Sequence, residues 1–228
     1  MGKPELLELL AFHLGPLHVG TTVLTTWLLI ALLTGLAWFG TRNLSLETPS
    51  RLQAALEGAV LALEAAIEGA APGHAARLLP FVGTLWLFIA TANLIGLVPG
   101  LRSPTGDLSL TVALAMLVFV SVHWFGIRID GLKAYLRHYL DPNPILLPFH
   151  LLGEVTRTLA LAVRLFGNMM SLEMAALLVL LVAGFLAPVP LLMLHIVEAL
   201  VQAYIFGMLA LVYVAGALQS HELEKRSG

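Results

Sequence analysis

The sequence predicts an all-α membrane protein with five membrane helices, the last two forming a long tilted hairpin, plus an amphipathic interfacial helix. Three observations predict this. Hydrophobic residues fill 59 % of the 228 positions and charged residues only 11 %. Several separate runs reach about 18 or more apolar residues, the length that crosses a bilayer core of about 30 Å. Lipid leaves the backbone only the helix or the closed barrel, and these Leu/Ala-rich runs lack the period-2 alternation of a barrel.

The whole chain, 1–228, reads as a single membrane domain. Residues 1–20 carry only Lys3 before an apolar stretch broken by His13, Pro16 and His18, and no small-residue cleavage site marks a signal peptide. The first span, 21–39, is TTVLTTWLLIALLTGLAWF. In 50–69, Leu52, Leu56, Val60, Leu63 and Ile67 share one stripe and Glu57, Glu64 and Glu68 another, the pattern of a helix lying on the membrane. The second span, 78–98, is opened by Pro80 and closed by Pro99 and Gly100. The third, 108–127, follows a cap at Asp107 or Ser109, and for Asp107 capping outweighs a channel-mouth role. Residues 128–144 are polar and aromatic and suit an interfacial segment. The fourth and fifth spans, 145–183 and 188–217, flank the break GFLAPVP and form the hairpin.

Five spans place the termini on opposite sides. Arg42, Arg51, Arg77, Arg128, Lys133, Arg137, Lys225 and Arg226 fall on one side, Lys3 and Arg102 on the other. The positive-inside rule then puts the N-terminus outside and the C-terminus in the cytoplasm. The formal charge of −2 points to no acidic or basic partner, and nucleic acid is not expected. With no cysteine there is no thiol or disulfide chemistry. His74 and His138 lack a second ligand at metal spacing, and His13, His18 and His150 read as interfacial. No Gly-rich phosphate loop is present, so neither ATP binding nor any cofactor is expected of this chain.

Against this background LAVRLFGNMMSLE, residues 161–173, stands out. An uncompensated Arg at mid-membrane costs about 2.5–3.5 kcal/mol even on insertion scales, so such residues are functional by default. The alternative is structural glue, with Arg164 paired to Glu154 or Glu173. In an antiparallel hairpin centred on residues 183 to 184, Arg164 stands opposite Gln202, Asn168 opposite Glu198, and Glu173 opposite His195. At 100° per residue Arg157, Arg164 and Asn168 share a face, whereas Glu173 points away. One fixed positive charge is thus separated from groups that bind and release protons. The 145–183 arm would be about 58 Å long, so it must tilt, and Arg164 near its middle falls deep in the hydrocarbon.

RLFGNM (Arg164 to Met169) with Glu173 beyond it, HIVEALVQAYIF (His195 to Phe206), TLWLFIATANLIGLVPG (Thr84 to Gly100) and PTGDLSLTVALA (Pro104 to Ala115) closely resemble subunit a of the F-type rotary ATP synthases. The resemblance runs from about Pro80 to the C-terminus. It implies the stator half of an ion turbine in the bacterial plasma membrane. Its partners would be the c-subunit ring, the peripheral-stalk b subunits, the remaining ATP synthase subunits and the lipid bilayer.

The resemblance assigns the separator between two offset half-channels to Arg164, the neighbouring role to Gln202, proton relay to Glu173 and His195, and path-lining to Asn168 and Asn93. Glu198 adds a carboxyl, and Arg157 a second basic residue, that the family pattern does not supply. A ring carboxylate about 4 Å from Arg164 would be stabilised by roughly 4 kcal/mol at an effective dielectric of 20. Arginine stays protonated and cannot itself pass the proton on, as a lysine can. Protons are the expected ion, sodium the alternative, chosen by the c subunit. A self-contained ion-coupled carrier, which would transport when reconstituted alone, is the competing function. A membrane scaffold, tolerant of losing both Glu173 and His195, is the third.

Overall fold

The structure, a computed structural model, describes residues 13–14, 17–18, 20–42, 44–45, 50–98, 101–131, 147–183 and 189–227. Most of the expected interfacial segment, with Lys133, Arg137 and His138, and much of the GFLAPVP break lie outside the described residues. Ahead of the bundle, β1 (His13–Leu14) and β2 (Leu17–His18) form a two-residue antiparallel ladder, His13 opposite His18. Among the described residues six helices follow: α1 (Thr21–Thr41), α2 (Arg51–Ala70), α3 (Ala75–Leu94), α4 (Leu108–Asp130), α5 (Leu147–Ala183) and α6 (Val189–Ser227). Five of them, all but α2, are long and apolar enough to cross a membrane.

The starts and stops follow local chemistry. Ser50 caps α2 by accepting from the Gln53 amide at 3.1 Å, one of the orphan donors of the first turn. Gly73, at φ +77°, turns the chain into α3, its amide held by Glu68 at 2.7 Å. Because α3 begins at Ala75, Pro80 sits within the helix rather than opening it. Its missing N–H leaves the helix ladder one bond short. A 3₁₀ turn, Ile95–Leu97, tightens the end of α3, and a second, Pro104–Gly106, leads to Asp107. Asp107 caps α4 through the Ser109 amide at 2.9 Å, and Gly131, at φ +82°, ends it.

α3 and α6 form the centre of the bundle. α4 packs on α5 and α6, and α2 on α3. One apolar core joins Leu85 and Ile89 of α3, Leu114 and Val118 of α4, Leu161, Leu165 and Met169 of α5, and Phe206 of α6. A second, at the α2 end, joins Ile67, Leu78, Val82, Trp86, Leu211 and Val214. Ile67 belongs to the stripe expected to lie on lipid. The last turn of α2 therefore packs on the bundle, while Leu56 and Val60 stay exposed. α1 buries only Thr25 and Leu29 and leaves Trp27, Leu36 and Trp38 outward, as a lipid-facing helix does.

Candidate functional site

Polar groups enter the bundle at the end opposite α2. There α1, the Pro104–Gly106 turn, α4 and α5 border a cleft of about 520 Å³ whose polar lining includes Thr21, Thr22, Thr25, Arg102, Asp107 and Glu173. Thr22 Oγ1 donates to Asp107 Oδ2 at 2.6 Å, tying α1 to the start of α4. Asp107 thus both caps a helix and lines the cleft, although the sequence favoured the cap alone. Burial opposes the Asp107 charge, but hydrogen bonds from Thr22 and Ser109 outweigh it and hold the carboxyl below its ordinary pKa. Glu173 lies 4.0 Å from Arg102, both side chains substantially exposed, a pair that adds little stability.

Behind the cleft a polar network is sealed from solvent. Asn93, 0 % exposed, donates from Nδ2 to Ala199 O at 3.1 Å and accepts from Thr105 Oγ1 at 2.6 Å. Thr105 meets Ser103 Oγ at 2.6 Å, and Ser103 donates to Ala92 O. His195 Nε2 lies 3.3 Å from Asn93 O. A carbonyl only accepts, so that nitrogen carries hydrogen and Nδ1 is left as the basic site of a neutral ring. Each partner in the network holds its neighbour in a fixed orientation.

Deeper in the hairpin, Asn168 Nδ2 donates to Gln202 Oε1 at 2.7 Å. Gln202 is 2 % exposed, and its Nε2 is buried without a partner among the described residues. The expected register is therefore corrected. Asn168, not Arg164, faces Gln202, Glu198 is not bonded to Asn168, and Glu173 and His195 belong to the cleft and the network respectively. The observed pair centres the hairpin on residue 185, nearer the break. Axial stagger depends on how the two long arms tilt, which side-chain type does not encode. Glu198 is half-buried and makes no hydrogen bond or ion pair with a described residue.

Arg164 is exposed, close to the midpoint of α5. It makes no hydrogen bond or ion pair with any described residue. The glue expectation fails here: Glu173 is beside Arg102, and Glu154 faces His123 Nε2 at 3.2 Å. The arginine lies on the helix face it shares with Arg157. Arg102, Thr22, Ser103 and Thr105 were not singled out by sequence, although TTVLTT and SPTGD carry the hydroxyls that converge there.

A family model described as the ATP synthase A chain matches residues 23–215. The chain belongs to the ATP synthase A chain family. It is 67 % identical over 214 residues to ATP synthase subunit a 2 of Pelobacter propionicus, covering 94 % of this chain and 93 % of that protein. It is 64 % identical over 207 residues to ATP synthase subunit a 1 of Hahella chejuensis, covering 91 % and 88 %. Against ATP synthase subunit a of Legionella pneumophila (strain Corby) the identity is 54 % over 226 residues, covering 99 % and 98 %. Family membership and the five apolar helices make the chain a multi-pass membrane component of an ATP synthase. The family match begins at residue 23, so it also takes in α1, which the sequence resemblance did not reach.

Proposed function

We propose that the chain is the stator ion-channel subunit of a rotary ATP synthase, carrying protons to and from the carboxylates of a c-subunit ring through two offset half-channels. The observation that carries this reading is Arg164: a permanent cation at the middle of a membrane helix, exposed, with no acidic partner among the described residues. Such a charge is costly unless an anion outside the chain meets it. A ring carboxylate at about 4 Å gains roughly 4 kcal/mol for its ionised form at an effective dielectric of 20. That gain releases its proton on arrival. A self-contained carrier would turn its ion-binding charge inward, and Arg164 faces outward.

The cleft of Glu173, Asp107 and Arg102 forms the mouth of one half-channel, with the His195–Asn93–Thr105 network and the Asn168–Gln202 pair leading inward. Arg164 separates it from the half-channel toward the α2 end. The chain performs no ATP chemistry, which belongs to other subunits, and the peripheral-stalk b subunits hold it against the turning ring. The Lys/Arg bias supports an N-terminus outside and a C-terminus in the cytoplasm of a bacterial plasma membrane. Membrane vesicles holding the whole complex test the reading. Arg164→Ala abolishes gradient-driven ATP synthesis while the complex assembles, and normal synthesis in that variant refutes the proposal.

A further inference from the structure

Glu173 is one of two carboxylates that flank Arg164 on α5. Glu154 stands ten residues before the arginine, where Glu173 stands nine after it. At 1.5 Å per residue they lie about 15 and 14 Å from it along the axis, toward opposite ends of the bundle. Each borders a cavity, and the two cavities share no lining residue. That of Glu154 measures about 260 Å³ and is lined also by Phe149, His150, Gly153 and Arg157. Arg157, seven residues before Arg164, shares its face, so the smaller cavity reaches that face.

His123 of α4 faces Glu154 of α5. His123 Nδ1 lies 2.8 Å from Phe119 O, a carbonyl that only accepts, so Nδ1 carries hydrogen. A neutral ring would then turn a lone pair at Nε2 toward Glu154 Oε2, 3.2 Å away and buried. A proton on either atom would lie against the other, 3.2 Å away.

We propose that His123 and Glu154 form a proton-holding pair, the terminal relay between Arg164 and the α2 end of the bundle. The inference rests on the half-channel reading above. At rest the pair is neutral overall and shares one proton. A proton released by a ring carboxyl travels through water in the cavity to the Glu154 carboxylate, leaving imidazolium beside neutral acid. The imidazolium then gives its Nε2 proton to water at the α2 end, restoring the shared state. One proton enters and one leaves, and the reverse sequence serves ATP-driven pumping. The charged and titratable groups that share the cavity with Glu154 are His150 and Arg157. The Tyr213 ring carries the Arg157 guanidinium at 5.7 Å.

The test measures the rate of ATP-driven proton pumping by the whole complex in inside-out vesicles, at equal amounts of complex, while the pH outside is varied. Glu154→Gln and His123→Gln each slow pumping at least about tenfold, the low end expected for loss of a proton-transfer group, and flatten its dependence on outside pH. The double variant is no worse than either single one, and Glu154→Asp restores the pH profile. Wild-type rate and profile in assembled Glu154→Gln complexes overturn the pair. If Glu154→Gln does not assemble, His123→Gln decides on the same criteria. Arg164→Ala in parallel separates the two readings. Pumping lost there but normal in Glu154→Gln overturns the pair alone, whereas pumping normal in Arg164→Ala overturns the half-channel reading itself.

Discussion

Gly207 on α6 meets the Trp86 indole of α3 so closely that a Cβ built there would overlap its Nε1 and Cδ1 atoms. Trp86 is 8 % exposed, stacked on Tyr204 at 5.7 Å and packed among Val82, Ile67 and Leu211. A small shift cannot admit the methyl of Gly207→Ala. Either the indole abandons its seat or α3 and α6 separate. Overpacking a tight core costs about 1–3 kcal/mol, and complete overlap with a rigid ring puts Gly207→Ala at the upper end. A cost of about 3 kcal/mol is roughly 150-fold in the packing equilibrium. Trp86→Leu alone also destabilises, by about 2–3 kcal/mol, through lost burial. In the double variant the methyl enters space the indole has left, so its cost falls near that of Trp86→Leu alone, a coupling of about 2–3 kcal/mol. Denaturant-midpoint measurements on the purified complex, following release of this subunit, read all four corners of the cycle. An additive double variant, or a Gly207→Ala midpoint equal to that of the parent, refutes the reasoning.

Asn93→Leu removes two buried hydrogen bonds worth about 1 kcal/mol each, and should lower the stability read by the same denaturation by about 2 kcal/mol. Combined with Thr105→Val, which shares one of those bonds, the loss should be less than additive, and strict additivity counts against a connected network. Asp107 has a depressed pKa, so its stabilisation is present above its unfolded value near 3.8 and is lost as pH falls through the folded one. The gap in thermal midpoint between Asp107→Asn and parent should therefore shrink from about pH 7 to about pH 3, and a constant gap argues against a native carboxylate. A Cβ at Gly106 would press on Glu173 Oε2 at 3.3 Å. Gly106→Ala should displace that carboxylate by a few tenths of an ångström and slow ion flux by about threefold, small beside the ~100-fold that a 1 Å misplacement costs. Unchanged flux in that variant would detach Glu173 from the path.

The five spans were legible because hydropathy over some twenty residues is a local property that lipid enforces on any chain. The family resemblance likewise rested on short contiguous strings such as RLFGN and QAYIF. The hairpin's polar residues were paired one turn out of register. Asn168 meets Gln202 because of a stagger between arms of 37 and 39 residues, and no local signal carries that offset. Asp107 was read as a cap because capping is local, whereas its bond to Thr22 spans 85 positions.

By itself the sequence determined the all-α membrane class, the five apolar helices and the presence of an arginine in the middle of one of them. Helical periodicity also showed that Arg164 and Glu173 point in different directions. Only the tertiary structure decided which direction was outward. It left Arg164 without a partner among the described residues, set Glu173 in a cleft with Asp107, Arg102 and the threonines of α1, and brought His123 of α4 to Glu154 of α5. The physical reason is that burial in lipid acts on each helix separately and can be read residue by residue. The meeting of polar groups depends on the tilt, stagger and rotation of helices against one another, and those are set by the packing of residues distant in the chain, such as Trp86 against Gly207.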